Sequence, residues 1–139
     1  MKSKIIALPK EYTSLPKATG EGRAGILVVV SVTEHQEKML YDLLKAIKLD
    51  AEADIKLLAL APDQQYSLSS VIKQHQIKKV VAFGYHSRDL GFNLVHAYYH
   101  SYALDGTVVI FSESIAELTA DKAKKLALWQ TLQKVFLTK

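Results

Sequence analysis

The apolar positions of this chain fall into short continuous runs separated by stretches with a helical repeat, an alternation that predicts strands and helices in turn. Residues 26–30, Ile-Leu-Val-Val-Val, are continuous and mostly β-branched, the pattern of a strand buried on both faces of a parallel sheet. Thr33, with Gln36 or Glu37 beyond it, resembles a capped helix start, and Met39, Leu40, Leu43, Leu44 and Ile47 then recur at helical spacing. A second strand is predicted over 55–60, closed by Ala61-Pro62-Asp63, and Leu68, Val71 and Ile72 after Ser67 mark a short helix. Residues 78–84 read as a third strand ending in Gly84. Asp105-Gly106 is a turn signal ahead of a fourth strand at 107–111. A last helix is expected over 121–136, with Leu128, Leu132, Val135 and Phe136 on one side and Lys124 and Lys134 flanking it. Strands alternating with helices predict an α/β fold, a three-layer α/β/α sandwich with a four-stranded parallel sheet in the order 2-1-3-4.

The first 24 residues follow neither period. They mix lysines, Pro9 and Pro16 with Ser, Thr and Gly, and so are expected to form a flexible arm ahead of a single domain over 25–139. The apolar residues Ile5, Ile6, Leu8, Tyr12 and Leu15 are too many for a mere spacer and are candidates for contacting a protein partner as a short linear segment, or for folding back on the chain's own domain.

Composition narrows the chemistry. With 139 residues and no cysteine, the chain suits one compact domain, and thiolate zinc sites, iron-sulfur clusters, disulfides and cysteine nucleophiles are all excluded. The four-residue apolar run before Pro9 is too short for a signal-peptide core and no segment approaches a membrane span, so a cytoplasmic protein is expected. The formal charge of +4 is unevenly placed: residues 1–24 carry +3, residues 25–114 carry −2 and residues 115–139 carry +3. Only two arginines are present, Arg23 and Arg88, so a basic stripe tracking a phosphate backbone is not evident, and direct DNA contact is expected to be weak or indirect.

Motifs for catalysis are incomplete. Gly20-Glu21-Gly22-Arg23-Ala24-Gly25 matches the dinucleotide pattern, but it precedes the first strand rather than following one, so it reads as a flexible hinge. His96 and His100 are four apart without the third ligand and the glutamate a metal site would need, and no metal or cofactor is expected. His86, just beyond Gly84, sits where open α/β sheets bind ligands. Ser31, Ser87, Ser112 and Ser114 lie outside any nucleophile motif, and Asp63, Asp89 and Glu113 at strand ends are equally ordinary helix caps.

The order of segments resembles the uracil-DNA glycosylase superfamily over residues 25–137. The run Met39-Leu40-Tyr41-Asp42-Leu43-Leu44-Lys45-Ala46-Ile47-Lys48-Leu49 is similar to the helix that follows the first strand in those enzymes, and Val80-Val81-Ala82-Phe83-Gly84 to their Val-x-Ala-Leu-Gly strand. The resemblance breaks at the chemistry. Ser31-Val32-Thr33-Glu34-His35 stands where a Gly-Glu-Ala-Pro-Gly loop is expected, Ser114 stands at the position of the motif histidine, and the cluster cysteines are missing. Ser31, Thr33, His86, Glu113 and Ser114 are therefore read as degenerate active-site positions. Leu104-Asp105-Gly106, Ser114-Ile115-Ala116-Glu117-Leu118 and Ala127-Leu128-Trp129-Gln130 are also similar to segments of the psi-subunit family of bacterial DNA polymerase III. That resemblance implies a non-catalytic replication adaptor, joined to clamp-loader subunits through an N-terminal arm. The alternative is a divergent glycosylase or other nucleotide-acting hydrolase using His86, Asp89 or Glu113, and a filled apolar cleft at the strand ends would favour the adaptor, a polar one the enzyme.

Overall fold

The structure is a computed structural model that describes residues 15, 16, 18–34, 37–50, 52–61, 64–92, 98–104 and 106–137. Ile5, Ile6, Leu8, Tyr12, Asp63 and His96 lie outside the described residues.

Strand β1 (Ile26–Ser31) is an interior strand of the sheet. Helix α1 (Lys38–Ala46) follows it, then β2 (Ile55–Leu60), the short α2 (Ser69–Gln74) and β3 (Lys79–Phe83). After a 3-10 turn (Ser87–Leu90) come β4 (Ser101–Leu104) and β5 (Thr107–Ser112), and then α3 (Ile115–Ala120) and α4 (Lys122–Leu132), which runs into a π-helical turn (Gln133–Leu137). The strands stand in the order β2-β1-β3-β5-β4. β1 pairs in parallel with β2 on one side and β3 on the other, so that Val28 lies between Leu57 and Val81, and β3 pairs in parallel with β5.

The sheet is five-stranded and mixed, which corrects the expected four-stranded, all-parallel sheet. The added strand β4 runs antiparallel to β5, with Leu104 opposite Thr107. The two strands thus form a hairpin, in whose connection Gly106 adopts a left-handed φ of 85°. Ser101-Tyr102-Ala103-Leu104, a four-residue edge strand with two small residues, has almost no hydrophobic pattern, and its place comes from pairing with β5.

The period of two along β1 divides the core. Ile26, Val28 and Val30 face α1, α3 and α4, packing with Leu40, Leu43, Leu44, Ile115, Leu118, Leu128 and Leu132. Leu27 and Val29 face the other way, toward Tyr66, Leu68, Tyr85, Leu90 and Phe111, beneath α2 and the 3-10 turn. Burying each such aliphatic side chain is worth roughly 1.5–3 kcal/mol, so the unbroken apolar run of β1 up to Ser31 stabilises both layers at once. The C-terminal turn closes the first of these layers. Val135 and Phe136 pack on it, and Lys79 Nζ lies 4.9 Å over the Phe136 ring while donating to the Val135 carbonyl at 3.2 Å.

Two local expectations are also corrected. Thr33 does not cap α1, which begins five residues later with Glu37 at its N-cap and no side-chain cap bond. The glycine-rich segment is no hinge: the amides of Glu21, Gly22, Arg23 and Ala24 donate to carbonyls of Glu52, Ile55, Ala53 and Asp54, and Thr19 bridges Leu57 antiparallel to β2. Those bonds cover the outer edge of β2. Leu15 and Ala18 pack on the second core layer, so the domain extends N-terminally of residue 25 and Leu15 contacts its own domain. Gly20, at φ 93°, must be glycine for a further reason: a Cβ there would overlap the Ile55 carbonyl oxygen. No described helix is long and apolar enough to cross a membrane.

Candidate functional site

The chain leaves β1 toward the face covered by α1 and leaves β3 toward the face covered by the 3-10 turn. Neighbouring parallel strands whose connections diverge in this way open a crevice at their carboxyl ends, the usual ligand position in open α/β sheets. A cleft of about 480 Å³ lies there. Ser31 comes from the end of β1, and Thr33 and Glu34 from the loop beyond it; Gln64 and Gln65 follow β2; Phe83, Gly84, Tyr85 and Asp89 come from the exit of β3; and Ser114 precedes α3. The cleft is polar and open.

Most of its polar groups are bonded to the protein's own backbone. The Glu34 carboxylate accepts from the amides of Ile115 and Ala116, both at 2.9 Å, so the loop after β1 supplies the acidic partner for the first turn of a helix 81 residues away. Ser114 Oγ accepts from the Glu117 amide at 3.2 Å and is the N-cap of the same helix. Ser31 Oγ accepts from the Thr33 amide at 3.2 Å and shares a hydrogen bond of 2.9 Å with Thr33 Oγ1. Gly84, at φ 81°, lets β3 exit against Ser114: an added Cβ would lie 3.2 Å from Ser114 Cβ.

Tyr85 OH donates to the Leu60 carbonyl at 2.8 Å across the sheet. Burial pushes this phenol up to about 12, with Tyr66 adding to the shift, a Ser31 hydrogen bond opposing it, and the charges of Asp89 and Glu34 contributing further. It is fully protonated at neutral pH and serves as a donor. Asp89 Oδ2 accepts from the His86 amide at 3.2 Å, while His86 Nδ1 accepts from the Arg88 amide at 3.4 Å, a reciprocal cap on the 3-10 turn.

Of the degenerate active-site positions, Ser31, Thr33 and Ser114 converge on the cleft. His86 caps the adjoining turn and is not among the lining residues. Glu113 belongs to a separate cluster, where Tyr99 OH donates to Oε1 at 3.1 Å and Lys124 Nζ donates to Oε2 at 2.9 Å and to Glu117 at 3.4 Å. Burial pushes the Tyr99 phenol up to about 12, its hydrogen bond to Glu113 and that carboxylate's charge reinforcing the shift, and the bond to Glu113 raises Lys124. Thr131 Oγ1 donates to the Tyr99 carbonyl at 2.6 Å, so this cluster ties the turn before β4 to α4.

Glu34, Gln64, Gln65 and Tyr85 enter the cleft without having been singled out as site residues in the sequence. The one signal for Tyr85 is its place directly after the strand-ending Gly84. Glu34 carries no motif, because its partners are backbone amides of another element. Among the described residues no group of three or more His, Cys, Asp or Glu is placed to hold a metal ion. No protein-family model matches the chain, and no curated protein is significantly similar to it in sequence.

Proposed function

We propose that this chain is a non-catalytic protein adaptor of DNA replication, of the kind that the resemblance to the psi-subunit family of the polymerase III clamp loader implies. The observation that carries the non-catalytic part is the engagement of Glu34. A general base must be within reach of a substrate proton, whereas both oxygens of this carboxylate are bonded to the first amides of α3. Ser114, at the position of the glycosylase histidine, caps the same helix, and the phenol of Tyr85 is raised far above the range of a base at neutral pH. The replication part rests on the sequence resemblance. Affinity purification of the chain from its native cells, followed by mass spectrometry, tests it: clamp-loader or other replication subunits are expected to co-purify, and their absence refutes the proposal.

A second reading, a nucleotide-acting hydrolase, is favoured by one specific observation, the open polar cleft at the strand ends. Its charge weighs the other way. Among the described residues the lining includes two carboxylates, Glu34 and Asp89, and no Lys, Arg or His to receive a phosphate or stabilise a leaving base anion. Uracil excision from a labelled oligonucleotide, abolished by His86→Ala, would establish the enzyme reading.

A further inference from the structure

Helices α1 and α4 cover the same core layer but differ on the side turned to solvent. The exposed positions of α1 are mainly polar, and two of them, Lys38 and Asp42, pair with each other. On α4 and its C-terminal turn, Leu126 is 54% and Leu137 39% exposed, two of the four large apolar side chains left exposed among the described residues. A lone exposed leucine is ordinary. These two share a face: Leu126, Gln130, Gln133 and Leu137 follow one another at spacings of four, three and four, and the half-buried Trp129 borders them. Such spacing makes a seam along which a second helix packs.

Cations flank the seam. Lys122, seven residues before Trp129, and Lys134, directly after Gln133, stand at its two margins; both are exposed and, among the described residues, in no ion pair. Lys124, by contrast, lies on the far side of the helix and is held by Glu113 and Glu117. Charges beside a helical seam select a partner of opposite sign, and with residues 115–139 at +3 that partner is acidic. Nucleic acid and lipid fit less well. No arginine lies on this face to grip a phosphate, and a lipid surface would draw the amides of Gln130 and Gln133 out of water, whereas the side chains of another helix can bond to them.

We propose that the outward face of α4 and its C-terminal turn, from Leu126 to Leu137, docks an acidic amphipathic helix of a partner protein, apolar along one stripe with Asp or Glu at its margins; that the partner is a protein rests on the adaptor reading. The face is about 16 Å long, three turns of such a helix. A photoreactive benzoyl-phenylalanine placed at position 126 of the full chain, expressed in its native cells and irradiated, records what covers the face, and the same group at position 38 on α1 is the control. Mass spectrometry of the adduct is expected to find a protein segment with apolar residues at helical spacing and acidic residues beside them, captured from position 126 and not from 38. Lys122→Glu combined with Lys134→Glu is expected to lower the yield about tenfold, because attraction at both margins becomes repulsion, and to leave Tm unchanged, because neither lysine is paired within the chain. No adduct at 126, an adduct with lipid or nucleic acid, a protein segment without that pattern, or a yield unmoved by the charge reversal would each overturn the docking face. If the reversed chain does not fold, the segment captured by the unreversed chain decides alone. Replication subunits that co-purify while position 126 captures nothing remove the face and leave the adaptor reading, whereas an acidic helix captured from a protein outside replication upholds the face and removes the replication reading.

Discussion

Replacing Glu34 with alanine separates a structural carboxylate from one held for chemistry. The side chain joins the loop after β1 to the first turn of α3 through two hydrogen bonds of 2.9 Å, to the part-buried amide of Ile115 and to the more exposed amide of Ala116. A charge-assisted bond contributes roughly 1.5–3 kcal/mol when buried and far less in water, and loss of a helix cap costs roughly 0.5–2 kcal/mol. For one part-buried and one exposed bond we expect Glu34→Ala to cost about 2 kcal/mol. An unfolding entropy of roughly 2.1 cal/mol/K per residue, over 139 residues, converts that to a fall in Tm of about 7 °C. Glu34→Gln retains one acceptor oxygen without the charge and is expected to lose about half as much. Urea and thermal unfolding followed by circular dichroism measure both. A carboxylate kept for substrate would, when removed, leave stability unchanged or raise it. A Glu34→Ala variant within about 0.5 kcal/mol of the parent, or more stable than it, would refute the capping role and weaken the case for a non-catalytic cleft.

Tyr85→Phe removes the bond to the Leu60 carbonyl and is expected to cost about 1 kcal/mol at neutral pH. Because the folded phenol titrates at about 12 against an ordinary value of 10.0, the native tyrosine contributes stability that is fully present below pH 10 and lost as pH rises through 12; the variant should show a shallower alkaline loss in urea melts at stepped pH. Gly20→Ala meets both a left-handed φ and the Ile55 carbonyl, whereas Gly106→Ala meets only the unfavourable φ in open space; urea titration should find the first costing more than about 2 kcal/mol and the second about 1 kcal/mol. Lys79→Ala removes the contact over Phe136 and the bond to Val135, and limited proteolysis should then cleave near residues 133–137 faster than in the parent.

The core was legible in the sequence to a degree that the cleft was not. Ile-Leu-Val-Val-Val at 26–30 announces a strand covered on both faces, and every one of those residues is buried. The spacing of Leu40, Leu43 and Leu44 placed their helix on the sheet, although its start moved because Thr33 bonds to Ser31 instead of capping. The glycine triplet was visible, but its role was hidden, since its amides are satisfied by the segment around residues 52–55. Ser114-x-x-Glu117 was visible too, as a family-like segment whose capping of α3 appears once Glu34 is seen beside it.

Burial periodicity is a local property: an apolar side chain needs only to be removed from water, and any apolar neighbour serves, so the alternation of strands and helices could be read directly from the order of residues. A polar side chain is defined by its partner. Glu34 and the amides of α3, Tyr85 and the Leu60 carbonyl, and the pairing of Ser101–Leu104 with β5 all join segments with no shared pattern, and the charge of the cleft depends on which of them the chain crossings bring to one end of the sheet. The α/β class therefore belongs to the sequence alone, while the fifth strand, the fixed glycine segment and the acidic cleft exist only through tertiary contact, because hydrogen bonding is specific in direction and partner where hydrophobic burial is not.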